Sequence, residues 1–506
     1  MANHLFDHIF GNAPNGTATF LKTPAGRVWT YDDLWAVSAR QANALVHLGI
    51  KPGDRVAVQV EKSPEALVLY LATIRAGAIF LPLNTAYTPT EIAYFLGDAE
   101  ATVFIGRPEN AKELGELCAR LGNIRFETLG KHGDTGSFAE LSARQPTTFS
   151  DAARGPDDLA MLLYTSGTTG RSKGAMLGHG NVLSNARALV ETWHYTKADT
   201  LIHALPIFHT HGLLVATNVT LFAGASMIFL TKFDADQILG LMGEATVLMG
   251  VPTFYTRLLD HKGLSPETTK GMRLFISGSA PLLADTHREW RAKTGHVILE
   301  RYGMTETNMN TSNPYDGDRI AGTVGFPLPG TTVRVTDPET GKVLGPEEIG
   351  MIEVQGPNVF QGYWRMPEKT AEEFRDGFFV TGDLGKIDAR GYVHIVGRQK
   401  DLVITGGFNV YPKEIENEID ALPDVIESAV VGLPHADFGE AVTAIVAIGN
   451  GVPLDEKAVI ALLEQRLAKF KCPKRVVCVA ELPRNTMGKV QKNILREQYG
   501  GLYKTA

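Results

Sequence analysis

Cysteine is scarce, with three residues in 506, at positions 118, 472 and 478. That excludes a disulfide framework and suits a reducing compartment. The first ten residues hold no Lys or Arg and no long apolar centre, so no secretory signal is expected. The most apolar run, 66–83, is broken by Arg75 and Gly77 and falls short of a membrane span. Positive charge is not in excess: 49 Lys+Arg against 56 Asp+Glu leave a net charge of −7. This balance argues against a general nucleic-acid or anionic-membrane binder. Neither a 20–50-residue repeat nor a low-complexity tract occurs. A cytoplasmic protein acting on small molecules is expected.

What is present reads as globular. Hydrophobic residues make up 44 % and charged residues 21 % of the chain, near the usual proportions of about 45–50 % and about 25 %. At about 100–200 residues per domain, the length predicts two to four domains. Glycine alone is in excess, with 52 residues, about 10 % against a usual 7 % or so.

The runs RVAVQV (55–60), AIFLPL (78–83) and ATVFI (101–105) predict strands. Between them Ser63 predicts the cap of a helix running to about Ala76, and Pro89-Thr90-Glu91 opens another. Such alternation means a parallel sheet covered on both faces. The rhythm returns after residue 160 with AMLLYT, a helix near 181–193, then TLIHAL, ASMIFL, ATVLMG, RLFIS and HVILE, predicting two α/β units in series. Residues 322–400 carry many Gly and Pro around short β-rich runs, predicting a small β-barrel or sandwich. The last hundred residues mix α and β, with helices near 412–421 and 455–468. The expected fold class is α/β: a large domain (1–399) of two α/β subdomains plus a small β-barrel, then a smaller α+β domain (400–506), with the linker near Arg398–Asp401.

The sharpest local feature is Thr165-Ser166-Gly167-Thr168-Thr169-Gly170-Arg171-Ser172-Lys173-Gly174, directly after the strand AMLLY. Its glycines allow close backbone approach to an anion, its hydroxyls and N–H groups can donate to phosphate oxygens, and Lys173 supplies charge. The spacing is not that of a Walker A loop, because Ser172 precedes Lys173. The run YTSGTTGRSKG resembles the phosphate-binding signature of the adenylate-forming superfamily of acyl-CoA synthetases, peptide-synthetase adenylation domains and luciferases. Further motifs follow in that family's order: LPIFHTHG (205–212), SGSAPL (277–282), ERYGMTET (300–307), TGDLG (381–385), GRQKDLVITGG (397–407) and PRNTMGKVQK (483–492).

The resemblance implies a reaction. A carboxylate does not acylate a thiol directly, because oxide or hydroxide would have to leave. Attack on the α-phosphate of ATP releases diphosphate and makes AMP the leaving group. That step crowds negative charges together, so positioned cations are needed. By resemblance Lys489 is the adenylation lysine, and Glu306 binds Mg²⁺ together with Thr168. The ATP site would draw on Thr165, Ser166, Gly167, Thr168, Thr169, Lys173, Gly278, Ala280, Pro281, Glu300, Tyr302, Gly303, Thr305, Asp383 and Arg398, with Tyr302 on adenine and Asp383 and Arg398 on the ribose. His209 would border the acyl pocket and thiol tunnel. Lys400 would be the hinge of a mobile C-terminal domain, and Gly406 and Gly407 would flank the pantetheine path of CoA. The spacing of His203, His209 and His211 allows a metal, but no Cys or Asp lies nearby to complete a tetrahedral set. His203 and His211 are therefore read as structural.

The acid is indicated by two arginines, Arg257 in VPTFYTRLL and Arg301 in ERYGMTE. Guanidinium binds carboxylate bidentately, so two of them at an acyl pocket suit a second carboxylate. This wording resembles the malonyl-CoA synthetase branch, which implies malonate and methylmalonate as substrates, with Arg257, Ser279, Arg301 and Met304 around the distal carboxylate. The alternative places Arg257 on the surface and pairs Arg301 with Glu300 or Glu306. Residues 466–496 hold nine Lys/Arg against Glu481, either a solvated basic face or contacts for CoA phosphates. Other readings stay open: another small-carboxylate acyl-CoA synthetase, an adenylation enzyme loading a carrier protein, and a non-catalytic relative. The expected partners are malonate, ATP and CoA, with no nucleic acid and no membrane. A lysine acetyltransferase acting on Lys489 would remove the charge that adenylation needs.

Overall fold

The computed structural model describes residues 3–11, 13–14, 16–122, 124–165, 172–406, 408–449, 454–485 and 488–503. Four sheets organise them. The first has six strands in the order Arg125–Thr128, Val103–Gly106, Arg55–Val58, Ile79–Pro82, Leu159–Thr165, Lys173–Gly178. All neighbours are parallel except the last pair, a hairpin. The strand AMLLYT therefore closes the first unit instead of opening the second. Buried on both faces, it pairs with Ile79–Pro82 through Phe80 and Met161. A wholly apolar strand accepts either sheet, and only the long-range pairing decides.

The second sheet has nine strands. At its centre Leu299–Met304, Leu274–Ser277, Val247–Gly250, Thr200–His203 and Ser226–Phe229 lie parallel, in that order. Thr19–Lys22 and Val28–Thr30, from the start of the chain, extend one edge. Two strands from the segment after Met304, Asn308–Ser312 and Phe326–Pro327, extend the other in antiparallel sense.

The helix Pro64–Arg75 shows how local sequence builds the layer between the sheets. Ser63 accepts from the N–H of Ala66, Pro64 occupies the first turn, and every residue to Arg75 is buried. Arg75, which interrupts the apolar run, pairs with Asp151 at 2.6 Å. Replacing Leu67 or Leu71 here by Ala would cost about 2–5 kcal/mol. Among the described residues, no helix is long and apolar enough to cross a membrane.

Where a small barrel is expected, a five-stranded antiparallel sheet stands, built from Thr332–Thr336, Gly350–Gln355, Phe378–Ile387, Phe374–Arg375 and Val393–Arg398. After the single turn Gln399–Asp401, the chain enters a fourth sheet. There Val403–Thr405, Phe408–Val410, Val425–His435, Gly439–Ile448 and Arg475–Val479 combine with helices Pro412–Asp420, Glu456–Arg466 and Lys492–Tyr499. This unit has its own core around Val430, Val442 and Leu463.

Candidate active site

In an open parallel sheet, ligands gather beyond the carboxyl ends of the strands. Four neighbouring strands of the nine-stranded sheet end in sequence motifs: Thr200–His203 before LPIFHTHG, Val247–Gly250 before VPTFYTR, Leu274–Ser277 into SGSAPL, and Leu299–Met304 into ERYGMTET. From the six-stranded sheet, Leu159–Thr165 leads to the Gly/Thr loop. Ser166, Gly167, Thr168 and Thr169 lie outside the described residues. The loop's ends are held by the hairpin, in which Thr165 pairs with Lys173, and by Tyr94, which donates to the carbonyl of Ser172 at 2.7 Å. Lys173 Nζ lies over the ring of Tyr363 at 4.1 Å and 3.5 Å from Glu373 Oε1.

Tyr363 also donates to Glu306 Oε1 at 3.0 Å. Glu306 is buried; burial raises its pKa, while Tyr363, Arg398 and Lys173 act the other way. A buried carboxylate whose charge is penalised fits a divalent cation that takes one protein carboxylate and draws its other oxygens from substrate and water. Thr305 and Gly303 are half-buried beside it.

Tyr302, Asp383 and Arg398 form a connected chain. Tyr302 donates to Asp383 Oδ2 at 2.5 Å, and Arg398 Nε donates to Asp383 Oδ1 at 2.7 Å. Asp383 and Arg398 face each other across the antiparallel pair Phe378–Ile387 and Val393–Arg398, so the third sheet supplies this wall. Glu300 Oε1 accepts from the N–H of Leu282 at 3.2 Å, tying SGSAPL to the neighbouring strand. Burial pushes the Glu300 carboxyl up to about 8. Along SGSAPL, Gly278 is buried, Ala280 half-buried and Pro281 exposed.

The surroundings of Arg301 differ. Arg301 is 3 % exposed, and its Nε and Nη2 have no hydrogen-bond partner among the described residues. It pairs with neither Glu300 nor Glu306 there. Burial lowers its pKa to about 9. A side chain at Gly278 would stand 2.4 Å from Arg301 Cζ, so only glycine lets the guanidinium lie on this backbone. Ser279 holds a φ of +72°, a conformation that costs a non-glycine residue about 1–3 kcal/mol and gathers at functional sites. Met304 packs partly against the main core. Arg257 is exposed on the last turn of Pro252–Leu259, with its guanidinium 5.7 Å from the centre of the Phe233 ring.

The fourth sheet delivers Lys489. Its N–H donates to Asn485 Oδ1 at 3.0 Å, and the adjacent Gly488 lies against the side chain of Thr253. Lys489 keeps contact with solvent while standing in the fields of Arg398, Asp383, Glu306 and Arg301. Desolvation by the surrounding protein, then repulsion from Arg398, lowers its pKa. The His209 ring, half-buried, is lowered to about 3 by burial, Lys489 and Arg301, and so is neutral across the working pH range. Lys400 is exposed in the turn Gln399–Asp401, and Asp401 pairs with Arg496 at 2.7 Å. Gly406 is exposed at a hairpin tip, and Gly407 lies outside the described residues. Of the nine basic residues in 466–496, six pair with carboxylates: Arg466, Lys471, Arg475, Arg484, Lys492 and Arg496. Most of that patch is therefore neutralised within its own domain.

Two residues escaped the sequence reading. Tyr363, joining Lys173 to Glu306, carries no local signal. Lys62 does: it is a lysine at the mouth of an apolar helix. It is buried, donates to His203 Nδ1 at 3.0 Å and to its carbonyl at 2.8 Å, and lies 4.3 Å from the Phe229 ring centre. His203 Nε2 in turn donates to the carbonyl of Gly212 at 2.9 Å.

Comparisons with known proteins agree with this geometry. Residues 6–364 match the AMP-binding enzyme family, and residues 414–489 match the AMP-binding enzyme C-terminal domain. A feruloyl-CoA synthase of Amycolatopsis sp is 36 % identical, over 96 % of this chain and 97 % of its own. A malonate–CoA ligase of Arabidopsis thaliana is 35 % identical, over 89 % and 78 %. A crystal structure of ATP-bound MatB from Rhodopseudomonas palustris is 63 % identical over 100 % of both chains, with a TM-score of 0.97. The apo form of that protein, at the same identity and coverage, gives 0.86. The present arrangement is thus nearer to the ATP-bound form.

Proposed function

The chain belongs to the AMP-binding enzyme family, and from that premise we infer that it is an AMP-forming acid–thiol ligase. It converts malonate, ATP and CoA to malonyl-CoA, AMP and diphosphate through a malonyl-adenylate. Methylmalonate, one methyl larger, is proposed as a second substrate. The observation that carries the choice of acid is Arg301. An uncompensated buried cation is costly, and a carboxylate at the far end of the acid would neutralise it.

In this reading Asp383 and Arg398 take the ribose hydroxyls, Tyr302 lies against adenine, and Lys173 leaves Glu373 for the phosphates. Mg²⁺, when bound, offsets the charge of the phosphate oxygens; Glu306 would hold it, and its fit to such an ion is given by its burial and single-carboxylate chemistry. Lys489 bridges the attacking carboxylate and the α-phosphate, where charge builds in the transition state. Neutral His209 borders the path of the thiol. A swing of residues 400–506 about Lys400 would then withdraw Lys489 and bring Gly406 and Gly407 to the pantetheine, a gating role. Acylation of Lys489 would silence the first step. A cytoplasmic location belongs to the same reading.

The test is AMP release from malonate and ATP, with and without CoA. AMP and malonyl-CoA in equal amounts are expected. An adenylate that never reaches CoA would point to carrier loading. Turnover of ferulate or propionate in preference to malonate would overturn the acid.

A further inference from the structure

Beside Arg301 lies a buried polar group that the reaction scheme leaves unused. His211 has no exposed surface, and its Nδ1 stands 3.2 Å from Ser279 Oγ. Its Nε2 has no hydrogen-bond partner among the described residues. The ring begins a π-helical turn, His211–Thr217, a feature frequent at functional sites. That turn is anchored from behind. Lys62 donates to His203, His203 to the carbonyl of Gly212, and a side chain at Gly212 would lie 2.1 Å from the carbonyl oxygen of Pro206.

Hydrogen counting shows what the pair can do. When Ser279 donates to Nδ1, the ring hydrogen sits on Nε2 with no described acceptor. When Nδ1–H donates to Ser279, the hydroxyl hydrogen is left over. Either tautomer leaves one neutral donor free. Ser279 adjoins Gly278, on whose backbone the Arg301 guanidinium rests, and the His211 ring stands in the field of Arg301.

We propose that His211 is a specificity-determining residue of the acyl site, supplying with Ser279 the neutral donor that complements Arg301 around the second carboxylate. One cation then meets one anion, and the remaining lone pairs are met without a second charge. The proposal rests on the dicarboxylate reading above and adds a residue to it.

The test compares kcat/KM for malonate and propionate in His211→Leu and His211→Gln, alongside ATP affinity by calorimetry and the thermal midpoint. In H211L the Ser279 hydroxyl keeps a hydrogen to donate but loses the ring that orients it, so the malonate-over-propionate ratio should fall about tenfold, mainly through the malonate KM. H211Q, which keeps a donor, should hold the ratio within about threefold of the parent, and both variants should bind ATP within about twofold of it. Adding Ser279→Ala to H211L removes the remaining neutral donor and should lower the ratio further, to about a hundredfold below the parent. An unchanged ratio in H211L, or equal losses for both acids, overturns the proposal. Should H211L fail to fold, His211→Met with Ser279→Ala, which removes both hydrogens, is read in its place, and an unchanged ratio there overturns the proposal equally. A parent enzyme without preference for malonate would instead contradict the underlying reading.

Discussion

The two halves of the cleft are built on opposite plans. On the side proposed for the nucleotide, Tyr302, Asp383 and Arg398 are bonded to one another. On the side proposed for the acid, Arg301 and His211 are buried with ring or guanidinium nitrogens that no described residue meets. The first plan preorganises a surface and leaves its groups satisfied. The second holds polar groups in readiness at the expense of folding stability, and only the right acid relieves them. Stability and activity should therefore move together in one half and apart in the other.

The largest expected effect tests that separation. Arg301→Leu should reduce malonate turnover by about a thousandfold or more while the thermal midpoint holds or rises. A lowered midpoint would break the contrast. Next comes Lys489→Gln, for which adenylation should fall about a hundredfold or more. Conversion of preformed malonyl-adenylate to malonyl-CoA should change little, and equal loss of both steps would remove its assigned role. Asp383→Asn belongs to the satisfied half, so ATP affinity should fall about tenfold or more, with the midpoint falling too, because Arg398 loses its charged partner. Arg257→Ala ranks lower: from an exposed position its effect on malonate kcat/KM should stay within about tenfold, and a loss as large as that of Arg301→Leu would make Arg257 a second cation for the acid.

The smallest effect concerns pH. Glu300 titrates near 8 in the folded protein against an ordinary 4.5, so folding takes up a proton between those values. Stability from this group is full below about pH 4.5 and is lost as pH rises toward about 8. Glu300→Gln should flatten the dependence of the midpoint on pH across that window, and an unaltered slope would show that another group causes it.

Local chemistry was legible in the sequence, while pairing at a distance was not. Ser63 with Pro64 marks its helix start, and the motifs lie at strand ends as expected, because caps and turns depend on neighbours in the chain. The apolar strand at 159–165 reads identically whichever sheet it joins, and its pairing with Ile79–Pro82 is a contact across some eighty positions. Arginines 257 and 301 look alike as letters, yet one is exposed and the other buried on Gly278. His211 reads as structural because nothing local shows that its Nε2 lacks a described partner. Lys62 stands at the mouth of an apolar helix, but only folding lays it against His203. Burial of polar groups is decided by packing, which a linear pattern does not carry.

The central claim is that Arg301, whose Nε and Nη2 have no partner among the described residues, selects a second carboxylate. It is tested most directly by the malonate-over-propionate ratio of kcat/KM, measured by AMP release in the parent protein and in Arg301→Leu. The account predicts a ratio of about a thousandfold or more in the parent, collapsing to within about tenfold in the variant. A ratio that survives the loss of Arg301 would contradict it.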